Sequence, residues 1–166
     1  MTNLYIDCEW FLNQKIFLIG YAYSIHNHNQ LYHGTLTLNN LVRIFEPANG
    51  YVFFYGPDIA MLEKHFKINI RNQCPCVNLL RVFRMAKPYM SSYKLSYFEY
   101  YYDIPRTTLQ YKTNIFQMWH DWNDPELKPI ILKYNNEDVL NLIRLKKKIF
   151  NECSITYSDL NKMLLN

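Results

Sequence analysis

The sequence is short of glycine, with four among 166 residues, and it has no internal repeat and no linker-like stretch, so its length is that of one domain. Long apolar runs are also missing. Lys15 to Tyr23 is the longest candidate and is soon followed by His26 and His28. That falls well under the roughly 18 residues of a membrane-spanning helix, so no membrane partner is expected. The N-terminus lacks a basic region, and Asp7 and Glu9 interrupt its apolar stretch; no secretory leader is expected, and a cytoplasmic, intracellular setting follows. The four cysteines (Cys8, Cys74, Cys76, Cys153) are too few and too unevenly spaced for a disulfide scaffold. Disorder is excluded as well, because 49% of the residues are hydrophobic and a chain of this size can bury a real core.

Aromatic and amide side chains are abundant: 15 Tyr, 10 Phe and 18 Asn. Enrichment in Tyr, Asn, Lys, Ile and Phe is what an AT-rich genome produces, such as that of a virus or mobile element.

The order of elements follows from periodicity. Leu4-Tyr5-Ile6 runs into Asp7, Lys15 to Ile25 is rich in Ile, Phe and Tyr, and Gln30 to Leu38 alternates apolar with polar residues. These predict a three-stranded meander, with His26 to Asn29 as the hairpin connection. Leu41, Ile44 and Phe45 have helical spacing, ended by Pro47 to Gly50. Tyr51 to Tyr55 is a continuous apolar run between glycines, the pattern of a central strand buried on both faces. A helix is predicted from Pro57, and further helices over Asn78 to Ala86, Ser92 to Tyr102, Thr113 to Trp122, Glu126 to Phe150 and Ser158 to Leu165. Strands first, one strand–helix unit, then helices is an α/β or α+β arrangement.

Three groups of residues carry possible chemistry. On a strand Asp7 and Glu9 project to one face and Cys8 to the other. Two carboxylates on one face repel, and a hard divalent cation such as Mg²⁺ or Mn²⁺ relieves that repulsion. Asp58 follows the central strand in the first turn of the next helix, where ligands collect in open α/β sheets; a helix N-terminal Asp stabilised by the macrodipole is the plainer account. In the long helix Tyr134 and Asp138 stand at i and i+4 on one face, Glu137 turned away, with Asp138 at the margin of the apolar stripe where a carboxylate needs a partner. Each motif alone is weak: seven Asp and seven Glu give about 0.3 chance matches to Asp-x-Glu in a chain of this length.

Together and in this order the three groups resemble the DEDDy branch of the DnaQ-like 3′→5′ exonucleases, which have the ribonuclease H-like fold. Tyr55 to Phe66, Asn78-Leu79-Leu80-Arg81, Ser92-Tyr93-Lys94-Leu95 and Tyr134 to Leu140 look like the YprB-type, or RNase_H_2, family of that superfamily, with the likeness running from about Leu4 to Ile149. Family members commonly carry Asp where this chain has Asn78, and Asn where it has Tyr55. The resemblance implies an α/β fold with a central mixed sheet, an antiparallel meander plus parallel strands, flanked by helices. Residues 1–150 would form the exonuclease domain and 151–166 a helical tail of the same domain. It implies two divalent ions, Mg²⁺ or Mn²⁺, with Asp7 bridging both, Glu9 and Asp138 completing the first site and Asp58 holding the second. Tyr134 would orient the attacking water, since a phenol is a poor base at neutral pH.

The partner expected is DNA or RNA, with a single-stranded end favoured. With the four ligand carboxylates set aside, ten acidic side chains face 18 basic ones, a balance suited to a polyanion. Arg71, Arg81, Arg84, Lys87 and Lys94 are interleaved with Phe83, Tyr89, Tyr93 and Tyr97; Tyr93, Lys94, Arg81 and Arg84 are the candidates for nucleic-acid contact, by charge and by stacking on unpaired bases. The plainer account makes the aromatics helix core and the basic side chains a solvated face. Cys74-Pro75-Cys76 lacks zinc-site spacing, the histidines His26, His28 and His33 lie in or near one hairpin and could chelate a metal only adventitiously, Cys8 reads as core, and Lys146 to Lys148 as a solvated helix end. A module that keeps the fold and binds nucleic acid or protein without turnover, and an endonuclease, are the competing functions.

Overall fold

The computed structural model describes residues 1–111 and 114–164, with side chains through 161. Thr113 and Leu165, expected bounds of two helices, lie outside the described residues.

The strands β1 (Leu4–Trp10), β2 (Ile16–Ser24), β3 (Asn27–Tyr32), β4 (Val52–Phe54) and β5 (Cys76–Asn78) form one sheet in the order β3-β2-β1-β4-β5. β1 pairs antiparallel with β2 and β2 with β3, whereas β4 lies parallel to β1 and β5 parallel to β4. The parallel strands are reached through helices, as parallel pairing requires: α1 (Leu38–Phe45) leads into β4, and α2 (Asp58–Phe66) lies between β4 and β5. α3 (Leu79–Ala86), α4 (Leu95–Tyr101), α5 (Ile115–Asp121), α6 (Lys128–Glu152) and α7 (Tyr157–Leu164) follow.

Alternation along β1 sorts its side chains between two cores. Leu4, Ile6 and Cys8 pack with Leu41, Ile44, Ile59 and Leu62 of α1 and α2. Tyr5 packs the other way, with Phe53, Phe83 and Phe98 and with Val139, Leu142 and Leu145 of α6. Asp7 and Glu9 share the parity of Tyr5 and so lie on the face that α6 crosses. Leu160 of α7 is fully buried in that same core.

Two elements differ from the sequence expectation. The third strand is Asn27–Tyr32, with the turn at Ile25–His26, so His28 and Asn29 lie in a strand and not in a connection. Their polarity comes from the sheet edge, where this strand is largely solvent-exposed. Beyond it a 3₁₀ turn over His33–Thr35 ends the strand at Tyr32, short of the expected Leu38, and Thr37 then caps α1 by accepting from Asn40 N at 3.2 Å. The second difference is β5, a three-residue strand too short for periodicity to reveal. Asn78 ends it and caps α3, accepting from Leu80 N at 3.1 Å.

Phe98 is fully buried and stacks on Phe83 with ring centroids 4.2 Å apart. Truncation there leaves a cavity that rigid helices cannot collapse, so Phe98→Ala is expected to cost about 3–5 kcal/mol. Urea unfolding checks this; a loss under 1 kcal/mol would mean that α4 is not anchored through this ring.

Candidate active site

Asp7 and Glu9 leave the C-terminal half of β1 two residues apart on one face. Asp58 arrives from β4 through Gly56, whose φ of +76° is a left-handed turn that favours glycine, and Pro57. Tyr134 and Asp138 come from α6 where it crosses the sheet. Oxygens of Asp7, Glu9 and Asp138 all lie within 4.8 Å of one another, the one grouping of three potential metal ligands among the described residues. Asp58 stands beside this triplet. Its Oδ2 accepts from Tyr55 N at 3.3 Å and its Oδ1 faces the Cys8 thiol at 3.6 Å.

Glu9, Asp58 and Asp138 are buried and Asp7 partly so. Burial first, then repulsion among the four, pushes Glu9 up to about 8, Asp58 up to about 8 and Asp7 well above the carboxylate range. Asp138 is pushed up to about 7 by burial, although the guanidinium of Arg106 opposes the shift. Tyr134 is raised too, by burial and by Asp138 and Glu9. Hard oxygens crowded at this spacing and held away from water fit a divalent cation, whose charge removes the repulsion.

Arg106 is the participant that the sequence pattern did not reveal. Its side chain is 4% exposed. Nε and Nη2 donate to the two oxygens of Glu99 at 2.9 and 2.5 Å, and Nη2 also donates to Asp138 Oδ1. The guanidinium lies 4.8 Å from the Tyr134 ring centroid, while Nη1 is buried with no partner. Glu137 brings the arginine there. Its carboxylate accepts from the backbone N–H groups of Thr107 and Thr108 at 3.1 and 2.9 Å, so it fastens the Arg106 loop to α6 from outside the Asp7–Glu9–Asp138 grouping. Glu99 carried a legible signal, since with Leu95, Phe98 and Tyr102 it continues the apolar stripe of α4. Arg106, alone in an irregular loop, carried none. Asn135, next to Tyr134, is fully buried and donates from Nδ2 to Asp7 Oδ2 at 2.7 Å.

The nucleic-acid candidates are placed on and beside α3, not among the carboxylates. Arg81, Arg84 and Lys94 are exposed. Tyr93 is half-buried: its hydroxyl donates to the Lys87 carbonyl at 2.6 Å, its carbonyl accepts from the Tyr55 hydroxyl at 2.6 Å, and Arg84 lies 5.5 Å over its ring. Tyr55 therefore ties the Tyr93 segment to the strand end that leads into Asp58. Asn78 bonds both backbone groups of Gly56, accepting from N at 3.1 Å and donating to O at 2.8 Å. An ionised Asp would lose the second bond. Lys146 is inside α6, its ammonium 4.5 to 5.5 Å from the ring centroids of Phe150, Tyr157 and Phe53; Lys147 and Lys148 are exposed.

The profile of the RNase_H_2 family, of the RNase_H superfamily, matches residues 4–150. No curated protein matches the chain by sequence. Among solved structures, NrnC of Brucella melitensis superposes with a TM-score of 0.69 at 19% identity, over 99% of this chain and 82% of NrnC. The same protein with bound Mg²⁺ gives 0.69 at 18%, with the same coverage. A nuclease in its apo form gives 0.70 at 20% identity, over 90% of this chain and 72% of its own. At these identities the likeness is one of fold. No described helix is long and apolar enough to cross a membrane.

Two outcomes follow from the buried charge. These acids keep their protons to higher pH folded than unfolded, where values near 4 apply, so stability conferred below pH 4 is lost as pH rises toward about 8. The thermal midpoint of the metal-free chain should fall over that interval, with added Mg²⁺ restoring most at its upper end; a midpoint climbing with pH would contradict this. Arg106→Met leaves Glu99 and Asp138 without their counter-charge and should cost about 3–5 kcal/mol in urea unfolding. A neutral effect would show that the pair is not closed in solution.

Proposed function

This chain belongs to the RNase_H_2 family of the RNase_H superfamily, and on that premise we propose that it is a metal-dependent nuclease. It hydrolyses phosphodiester bonds of DNA or RNA, acting 3′→5′ on single-stranded ends. The observation that carries this reading is the convergence of Asp7, Glu9 and Asp138 within 4.8 Å with Asp58 alongside, from elements far apart in the chain.

Asp7, Glu9 and Asp138 would hold one Mg²⁺ or Mn²⁺, and Asp58, with Asp7 shared, a second. Bound there, the ions supply an activated water and stabilise charge on the leaving 3′ oxygen. The remaining work belongs to the protein's own groups. With its phenol raised, Tyr134 keeps its proton at neutral pH and acts by hydrogen bonding, orienting the attacking water and not deprotonating it. Arg106 lies against the Tyr134 ring and bonds Asp138, so it fixes the relative placement of both α6 side chains. The exposed Arg81, Arg84 and Lys94 favour approach of a phosphate backbone, and Tyr93 presents a ring already braced by Arg84.

The Arg106–Asp138 pair also favours a second reading, a nucleic-acid-binding module in which an internal cation replaces the metal and turnover is slight. End-labelled single- and double-stranded DNA and RNA, incubated with Mg²⁺, Mn²⁺ or EDTA, separate the two. Cleavage is expected with either metal, absent in EDTA and in Asp7→Ala, and lowered roughly 10²-fold in Tyr134→Phe. A ladder shortening from the 3′ end identifies the exonuclease mode. Cutting that persists in EDTA would overturn the metal mechanism, and binding without cutting would establish the module.

A further inference from the structure

Three residues lie side by side across the sheet beneath α6. Asp7 of β1 is paired with Gly20 of β2, and Gly20 is paired with Gln30 of β3. Residues paired in this way share a face, and the middle one has no side chain. Asn135 of α6 fills the gap: a Cβ on Gly20 would lie 2.3 Å from Asn135 Oδ1 and 2.7 Å from Val139 Cγ2, separations that real atoms do not tolerate. Glycine is required here for close approach of the helix, not for an unusual backbone angle.

The carboxamide in this gap is bonded at both ends, and its orientation is determined. Gln30 Nε2 donates to the Leu132 carbonyl at 2.7 Å and to Asn135 Oδ1 at 3.0 Å; Asn135 Nδ2 donates to Asp7 Oδ2 at 2.7 Å. A backbone carbonyl only accepts, so Gln30 must present its NH₂ to Leu132. That same NH₂ faces Asn135, which must answer with its oxygen, and only the NH₂ of Asn135 is left to meet the carboxylate. A helix carbonyl thus sets the polarity of two amides and, through them, the group that Asp7 meets.

We propose that Gln30, Gly20 and Asn135 form an amide relay that positions Asp7 for a divalent cation. It rests on the metal-dependent reading above and adds three positioning residues to it. With one oxygen tied to a buried donor, the Asp7 carboxylate is oriented when the chain folds, and ion binding does not bear the cost of ordering it. The relay reaches from the exposed edge strand to the partly buried ligand.

Calorimetric titration of Mn²⁺ into the metal-free full chain, with thermal unfolding in EDTA run alongside, tests this. Asn135→Leu should weaken Mn²⁺ binding roughly tenfold, the scale seen when a ligand loses its outer partner. Gln30→Leu, at a partly exposed edge position that should leave the fold intact, should weaken it several-fold. It decides the question even if Asn135→Leu does not fold. Lower thermal midpoints with unchanged Mn²⁺ affinity in both variants would overturn the relay and leave a purely structural contact between β3 and α6. Tighter binding would overturn it too. A wild-type chain that takes up no Mn²⁺ would instead overturn the metal-dependent reading, and the relay with it.

Discussion

Four carboxylates taken out of water and set beside one another dominate the energetics of this molecule, because each resists ionisation in the company of the rest. The surrounding structure answers that repulsion separately at three of them. Arg106 neutralises Asp138, Asn135 donates to Asp7, and the Tyr55 amide and Cys8 thiol contact Asp58 from the sheet side. Even the loop that supplies Arg106 is fastened through a further carboxylate, Glu137, to the helix that carries Asp138. What these contacts leave unbalanced is negative charge on hard oxygens, which a divalent ion is suited to remove.

The fold places those groups with little irregular structure. Two carboxylates stand on a strand and one on a helix crossing it, so their spacing is set by strand parity and by how closely α6 approaches the sheet. Only Asp58 depends on a turn, and that turn is made by Gly56 and pinned by Asn78. The same side chain caps α3, so the start of the basic helix and the Asp58 turn are tied through one amide. Tyr55 makes a parallel connection to the Tyr93 segment. Tyr55 and Asn78 are therefore structural links between the acidic site and the basic surface.

The legible part of this chain was the part written in local periodicity. The alternation of β1 put Asp7 and Glu9 on one face, and that is where they lie. The i, i+4 spacing placed Tyr134 and Asp138 together. The continuous apolar run at Val52–Phe54 marked the strand buried on both faces. Periodicity failed where exposure or brevity removed its signal: the polar start of the edge strand, Asn27 to Asn29, read as a turn, and β5 had only three residues. Burial of a charged residue was harder still. Glu99 could be found on the apolar stripe of α4, but its partner Arg106 came from an irregular loop with no period to read.

The sequence alone determined the order of the elements other than β5, the faces on which the acidic residues project and the family to which the motif order belongs, because all three depend on residues near one another in the chain or on their succession. Only the tertiary structure decided the partners. Asn135 meets Asp7 across 128 positions, Arg106 meets Asp138 across 32, and Gln30 meets Asn135 across 105. The Asn135 contacts exist because α6 crosses the sheet where Gly20 leaves room, the Arg106 contact because Glu137 fastens its loop to α6, and no local pattern encodes where two distant surfaces come to rest against each other.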